Sequence, residues 1–141
     1  MANRYLKQFQ YTLEQDSVTL YGSFTVGAAG AVSATKGGGI LSVVKEVTAG
    51  QYSVTLTDKW SKMLFVEASQ VLATVSQVEK VQVLESAATL QSAVTAGTAF
   101  KLQFLGYTSA TNPTLVEVNP ESGTQVQMKI TVRNSSVGRF D

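Results

Sequence analysis

The sequence contains no cysteine. Disulfides, zinc–thiolate sites and cysteine nucleophiles are therefore excluded. It contains no histidine either, the side chain most often used as a general acid or base near neutral pH. Losing both residue types removes most hydrolase and metalloenzyme designs. Charge is also scarce, with only 15% of residues charged against an average of about 25%. Eleven basic and ten acidic side chains leave a net charge of +1, and the basic ones are scattered rather than clustered. Nucleic-acid binding rests on several lysines or arginines per site, so no nucleic-acid partner is expected. A polybasic membrane patch is missing for the same reason. No apolar run approaches the roughly 18 residues that span a membrane. The first ten residues are polar with alternating aromatics and lack the apolar core of a secretion leader, so no leader is expected.

What remains is ordinary for one globular domain. The chain has 141 residues, 44% of them hydrophobic, enough to build a core without staples. Valine and threonine are the commonest residues, and both suit a pleated surface better than a helix. The polar surface must come from serine, threonine, glutamine and asparagine.

Period-two alternation recurs along the chain. Val126, Met128, Ile130 and Val132 face one way, and Gln125, Gln127, Lys129, Thr131 and Arg133 the other. Val18, Leu20, Gly22, Phe24 and Val26 alternate with Thr19, Tyr21, Ser23 and Thr25. Strands are also expected from Tyr52 to Leu56 and from Phe100 to Phe104. Weaker runs fall at about Ile40–Val47, Met63–Val75, Val78–Leu84 and Leu115–Val118. No segment shows a convincing helical period; one helical turn is expected near Asp58–Lys62, capped by Asp58. Val47-Thr-Ala-Gly50 and Val94-Thr-Ala-Gly97 both read as hairpin turns with glycine at φ > 0. Gly27–Gly39 reads as a long glycine-rich loop. These elements predict an all-β, single-domain antiparallel β-sandwich, jelly-roll-like, with an N-terminal extended arm. The arm or first strand covers residues 1–14 and the sandwich 15–141.

Motifs that could carry chemistry are weak. Ser42-Val-Val-Lys45 matches the S-x-x-K spacing of serine acyl-enzymes, but on a strand residues three apart lie on opposite faces. Lys36-Gly37-Gly38-Gly39 reverses the order of a phosphate loop, in which glycines precede the lysine and a helix follows. The acids Glu14, Asp16, Glu46, Asp58, Glu67, Glu79, Glu85, Glu117, Glu121 and Asp141 show no calcium-loop spacing. Trp60, Tyr5, Tyr11, Tyr21, Tyr52 and Tyr107 could form a sugar platform, although aromatics more often fill cores and interfaces. Asn134-Ser-Ser136 formally matches a glycosylation acceptor. No catalytic residue, metal site or cofactor is expected.

Two segments are candidates for protein contacts. Arg4, Tyr5, Lys7, Phe9, Tyr11 and Leu13 belong to the N-terminal arm, whose odd-numbered members share one face if extended. Such an arm is either the first strand of its own sheet or a segment added to a neighbour. Lys36, Gly37, Gly38 and Gly39 form the candidate interaction loop.

Several phrases together carry a resemblance. They are Asn3-Arg-Tyr-Leu-Lys-Gln-Phe9, the passage from Gly27 to Gly39-Ile-Leu-Ser-Val-Val44, Gly50-Gln-Tyr-Ser-Val-Thr-Leu-Thr-Asp58, Asn119-Pro-Glu-Ser-Gly-Thr124 and Arg133-Asn-Ser-Ser136. The chain resembles virion structural proteins of tailed bacteriophages, of the head decoration or capsid cement type. The resemblance implies a protein bound to the capsid exterior, made in the bacterial cytoplasm, with the major capsid protein and further copies of itself (a dimer or trimer) as partners. It implies no enzymatic step and no cofactor. The alternative is a tail or fibre component that binds a receptor or glycan.

Overall fold

The computed structural model describes residues 17–74, 79–107 and 114–133. Nine strands and one α-helix occupy them: β1 (Ser17–Val26), β2 (Val32–Lys36), β3 (Ile40–Lys45), β4 (Gln51–Leu56), β5 (Lys62–Val71), β6 (Glu79–Val83), α1 (Ala87–Ala96), β7 (Phe100–Tyr107), β8 (Leu115–Glu117) and β9 (Gln125–Arg133). The strands form two antiparallel sheets, one ordered β2-β1-β9-β5 and the other β3-β4-β7-β6. β8 pairs with the C-terminal end of β7, while β4 pairs with its N-terminal half. The protein is an all-β sandwich, as the alternation implies. The finer jelly-roll order is not confirmed; strands consecutive in the chain, β1–β2, β3–β4 and, across α1, β6–β7, each pair within one sheet.

The alternating apolar residues become the core. On β9 Val126, Met128, Ile130 and Val132 are buried, and they share one core with Phe24 and Val26 of β1. The second sheet contributes Tyr52, Val54, Phe100, Leu102 and Phe104. At the centre the Tyr52 ring lies 5.3 Å from both Phe24 and Phe104, edge-on to the latter. Such tilted pairs add about 0.5–1.5 kcal/mol beyond the area they bury. The fully buried Tyr52 hydroxyl donates a 2.6 Å hydrogen bond to the Gly30 carbonyl, in the short 3-10 turn between β1 and β2. One side chain thus ties the second sheet to the first hairpin.

Four local expectations are corrected. Gly27–Gly39 is not one loop: a 3-10 turn at Ala28–Gly30 and strand β2 lie within it. β2 closes against Ser23–Val26, so small residues were sufficient to form an edge strand. Asp58–Lys62 forms no helical turn; bends lead into β5 at Lys62. A ten-residue helix does exist, at Ala87–Ala96. It buries only Ala93 and Val94, with Leu90 packed against the core, and so narrow an apolar stripe leaves little 3.6 period to read. Finally, Val94-Thr-Ala-Gly97 ends this helix instead of making a hairpin. Gly97 takes a left-handed conformation, and both its N–H and that of Thr98 donate to the Ala93 carbonyl. The same tetrapeptide at Val47-Thr-Ala-Gly50 does turn a hairpin, between β3 and β4.

Candidate functional site

The N-terminal candidates Arg4, Tyr5, Lys7, Phe9, Tyr11 and Leu13 lie outside the described residues, as does Asn134-Ser-Ser136. The loop candidates do not. Lys36 ends β2, and Gly37 begins the turn that carries the chain to the second sheet. Gly37 has φ +124°, and a Cβ there would lie 2.4 Å from the Tyr21 carbonyl oxygen. This backbone contact seats Lys36 beside β1. Gly38 and Gly39 continue the turn into β3, beside the end of β4, where the Thr57 N–H donates to the Gly39 carbonyl.

Strand register explains what surrounds Lys36. Ser23 pairs with Lys36 on one side and with Gln127 on the other. Tyr21, two residues earlier, shares the outward face of β1. A small residue between three longer ones leaves a hollow. Tyr21, Gly22, Ser23, Lys36, Gly37, Gln127 and Met128 line this open cleft of about 250 Å³. The Tyr21 side chain is 65% exposed. Among the described residues, the side chains of Tyr21, Ser23, Lys36 and Gln127 make no hydrogen bond or ion pair with one another or with the rest of the fold.

The cleft belongs to a wider surface. On the same face Thr19, Thr131 and Phe65 form one cross-strand row, and Tyr21, Lys129 and Glu67 the next. Thr19 and Thr131 hydroxyls lie 3.2 Å apart. Lys129 Nζ sits 6.0 Å from the centre of the half-exposed Phe65 ring, at the outer limit of a cation–π contact. Ser69, Gln127, Gln125 and Val71 extend the face, with Val71 exposed. Hydrogen-bonding groups, most of them uncharged but with Lys36, Lys129 and Glu67 among them, therefore surround a few exposed apolar side chains.

The second sheet carries a polar ladder instead. Gln82 Nε2 donates to Gln103 Oε1 at 2.9 Å, and Gln103 Nε2 donates to Glu117 Oε1 at 2.5 Å. Gln51 Nε2 reaches the same carboxylate oxygen at 2.7 Å. The amide donors, Gln51 first and Gln103 second, hold the Glu117 carboxyl below its ordinary range, against a smaller opposing effect of burial. Glu117 is thus a solvated anion tied to β4 and β7, a structural arrangement that anchors the short strand β8.

Compared with known proteins, the chain has no match: no family model, no curated protein and no solved structure.

The other candidates are dispersed by the fold. Ser42 pairs with Thr55, and Lys45 with Tyr52, so alternation sends them to opposite faces of β3. Tyr5 and Tyr11 lie outside the described residues, and among those described the aromatics do not form one platform: Tyr52 is core, Trp60 packs against the core, and Tyr21 and Tyr107 end up on different sheets. Among the described residues no group of three or more acidic side chains is placed to hold a metal ion. No helix among them is long and apolar enough to cross a membrane. Tyr21, Ser23 and Gln127 were readable only as outward-facing strand residues. Nothing in their local sequence marks them as neighbours of Lys36, because the pairing that unites them joins β1 to β2 and to β9.

Proposed function

We propose that this chain is a non-catalytic structural protein that works by adhering to other protein, as the cement on the outside of a bacteriophage capsid. The observation that supports this best is the outer face of the β2-β1-β9-β5 sheet. Tyr21, Phe65 and Val71 are exposed there among threonines, serines and glutamines, with Lys36, Lys129 and Glu67 as the few charges between them. Burying apolar surface contributes about 25 cal/mol per Å². Uncharged hydrogen-bonding groups desolvate at less cost than charges, and low net charge limits repulsion between many copies on one lattice. The same composition would let such a protein bind with little dependence on salt. A ligand that binds only the assembled shell stabilises it by mass action, and repeated sites reinforce one another when the protein is itself an oligomer. The major capsid protein and further copies of this chain are the partners in this reading.

The test is co-sedimentation of the purified protein with phage heads and, separately, with tails. Saturable binding to heads, with a rise in the temperature at which the shell ruptures, is expected. Truncation before residue 14 should weaken that binding while leaving the domain folded. Binding to tails alone, or to neither, would overturn the proposal and favour a tail or fibre role.

A further inference from the structure

We infer that the cleft beside the glycine turn is a saccharide site, taking one ring of a carboxylated sugar such as a uronic acid. The argument starts from the side chains that converge there. Tyr21 offers an exposed ring at the edge of the hollow. A pyranose has an apolar face of C–H groups that stacks on such a ring, whose electron-rich face attracts them. Ser23 forms the floor, between Lys36 and Gln127 in cross-strand register. Its hydroxyl and the Gln127 amide each donate and accept hydrogen bonds, the complement of sugar hydroxyls. Lys36 brings three donors and a full positive charge. A carboxylate in reach of it would form a charge-assisted bond, stronger than a neutral one.

Three further observations favour this ligand. The polar groups are unspent: among the described residues Tyr21, Ser23, Lys36 and Gln127 have no side-chain hydrogen-bond or ion-pair partner. The local charge is positive, with Lys129 directly opposite Tyr21 and Lys36 on the other side of β1. Among the described residues the acid on this face, Glu67, lies beyond Lys129 on β5. Size selects a small ligand, since the cleft is about 250 Å³ and drug-sized molecules fill roughly 300–1,000 Å³. An inorganic anion would use Lys36 but leave Tyr21 without a role. The cleft is also built on rigid elements. Its walls stand on three paired strands, and the backbone contact at Gly37 seats the lysine beside β1, the kind of preorganisation that binding sites need. The cleft shares Tyr21 with the face proposed above to meet the shell, so the site is tested on the isolated protein, where the outcome does not turn on the shell-binding proposal.

The experiment is an amide-resolved NMR titration of the isolated protein with a galacturonic acid tetrasaccharide, with maltotetraose and inorganic phosphate as separate arms. Saturable shifts at Ser23, Gly37 and Gln127 are expected with the acidic sugar. Tyr21→Ala should weaken binding about tenfold by loss of the stacking ring. Lys36→Gln should weaken the acidic sugar severalfold while leaving the remaining spectrum unchanged. Three results would overturn the inference: no saturable shift in these residues, an equal response to phosphate alone, or equal affinity in Tyr21→Ala. Equal binding of maltotetraose would overturn the assignment of a carboxylate to Lys36.

Discussion

Gly50 and Gly97 offer a controlled comparison, because each ends the same Val-Thr-Ala-Gly tetrapeptide and each is left-handed, with φ +73° and +74°. Replacing either with alanine carries the same backbone cost, about 1–2 kcal/mol for an L-residue in that region. Each also gains about 0.4–1 kcal/mol by stiffening the unfolded chain. These effects leave a net loss of about 1 kcal/mol at both positions. The surroundings then separate them. At Gly97 the new Cβ would approach only Lys59, a flexible side chain, at 2.9 Å. At Gly50 it would lie 2.5 Å from the Val118 carbonyl oxygen, 2.8 Å from that of Phe104 and 2.9 Å from the Val118 nitrogen. All three are backbone; the Val118 N–H and the Phe104 carbonyl are joined by a 3.1 Å hydrogen bond, and the Phe104 N–H donates to the Gly50 carbonyl at 2.8 Å. Displacing them adds an overpacking cost of about 1–3 kcal/mol. Gly97→Ala should therefore cost about 1 kcal/mol and Gly50→Ala about 3 kcal/mol. In a domain of this size those losses correspond to melting-point drops of about 4 °C and about 12 °C. Thermal unfolding followed by circular dichroism measures both. Equal drops would refute the reasoning, because they would show that β8 yields to Gly50 as readily as a lysine chain yields to Gly97.

Two further perturbations probe the hydrogen bonds around this junction. Tyr52→Phe removes the buried hydroxyl and strips the Gly30 carbonyl of that donor, which should cost about 1–3 kcal/mol in urea unfolding; a loss under about 0.5 kcal/mol would mean that water or another donor replaces it. Glu117 sets a pH dependence whose sign follows from its lowered pKa in the fold: the carboxylate stabilises above its ordinary value of 4.5, and that contribution is lost as pH falls through the lower folded value. Urea midpoints of the wild type should fall between about pH 5 and pH 3 more steeply than those of Glu117→Gln, and parallel profiles would show that the two glutamine amides add nothing to stability.

The fold was legible where one face of a strand is buried. β9 alternates over its whole length, and β1 from Gly22 to Val26, because there every second residue enters the core. β7 alternates equally well through Phe100, Leu102 and Phe104. Legibility failed where burial is slight. β2 has four exposed positions out of five, so its pairing with β1 rather than its composition makes it a strand. α1 anchors through Leu90, Ala93 and Val94, and its ends are set by local chemistry: the Ser86 side chain accepts from the Thr89 N–H, and Gly97 turns left-handed. The first signal is a capping serine and the second a terminal glycine. Read together, Ser86 and Gly97 bracket a helix; read alone, Gly97 is indistinguishable from Gly50.

The candidate site failed to show in the sequence for a deeper reason. A catalytic centre advertises itself through residue types that are rare elsewhere, and a binding face built from tyrosine, serine, lysine and glutamine does not. Its identity lies in which common residues become neighbours. Ser23 meets Gln127 across more than a hundred positions of sequence, only because β1 and β9 pair in the register that sets Phe24 against Val126. That register is itself imposed by the core, since a slip of one residue would turn Val126, Met128, Ile130 and Val132 toward water. The buried face therefore determines the composition of the exposed one: the contacts that stabilise the sandwich also assemble the cleft. Substitutions deep in the core that shift register without unfolding the chain would scatter Tyr21, Ser23, Lys36 and Gln127 while leaving each of them in place along the sequence.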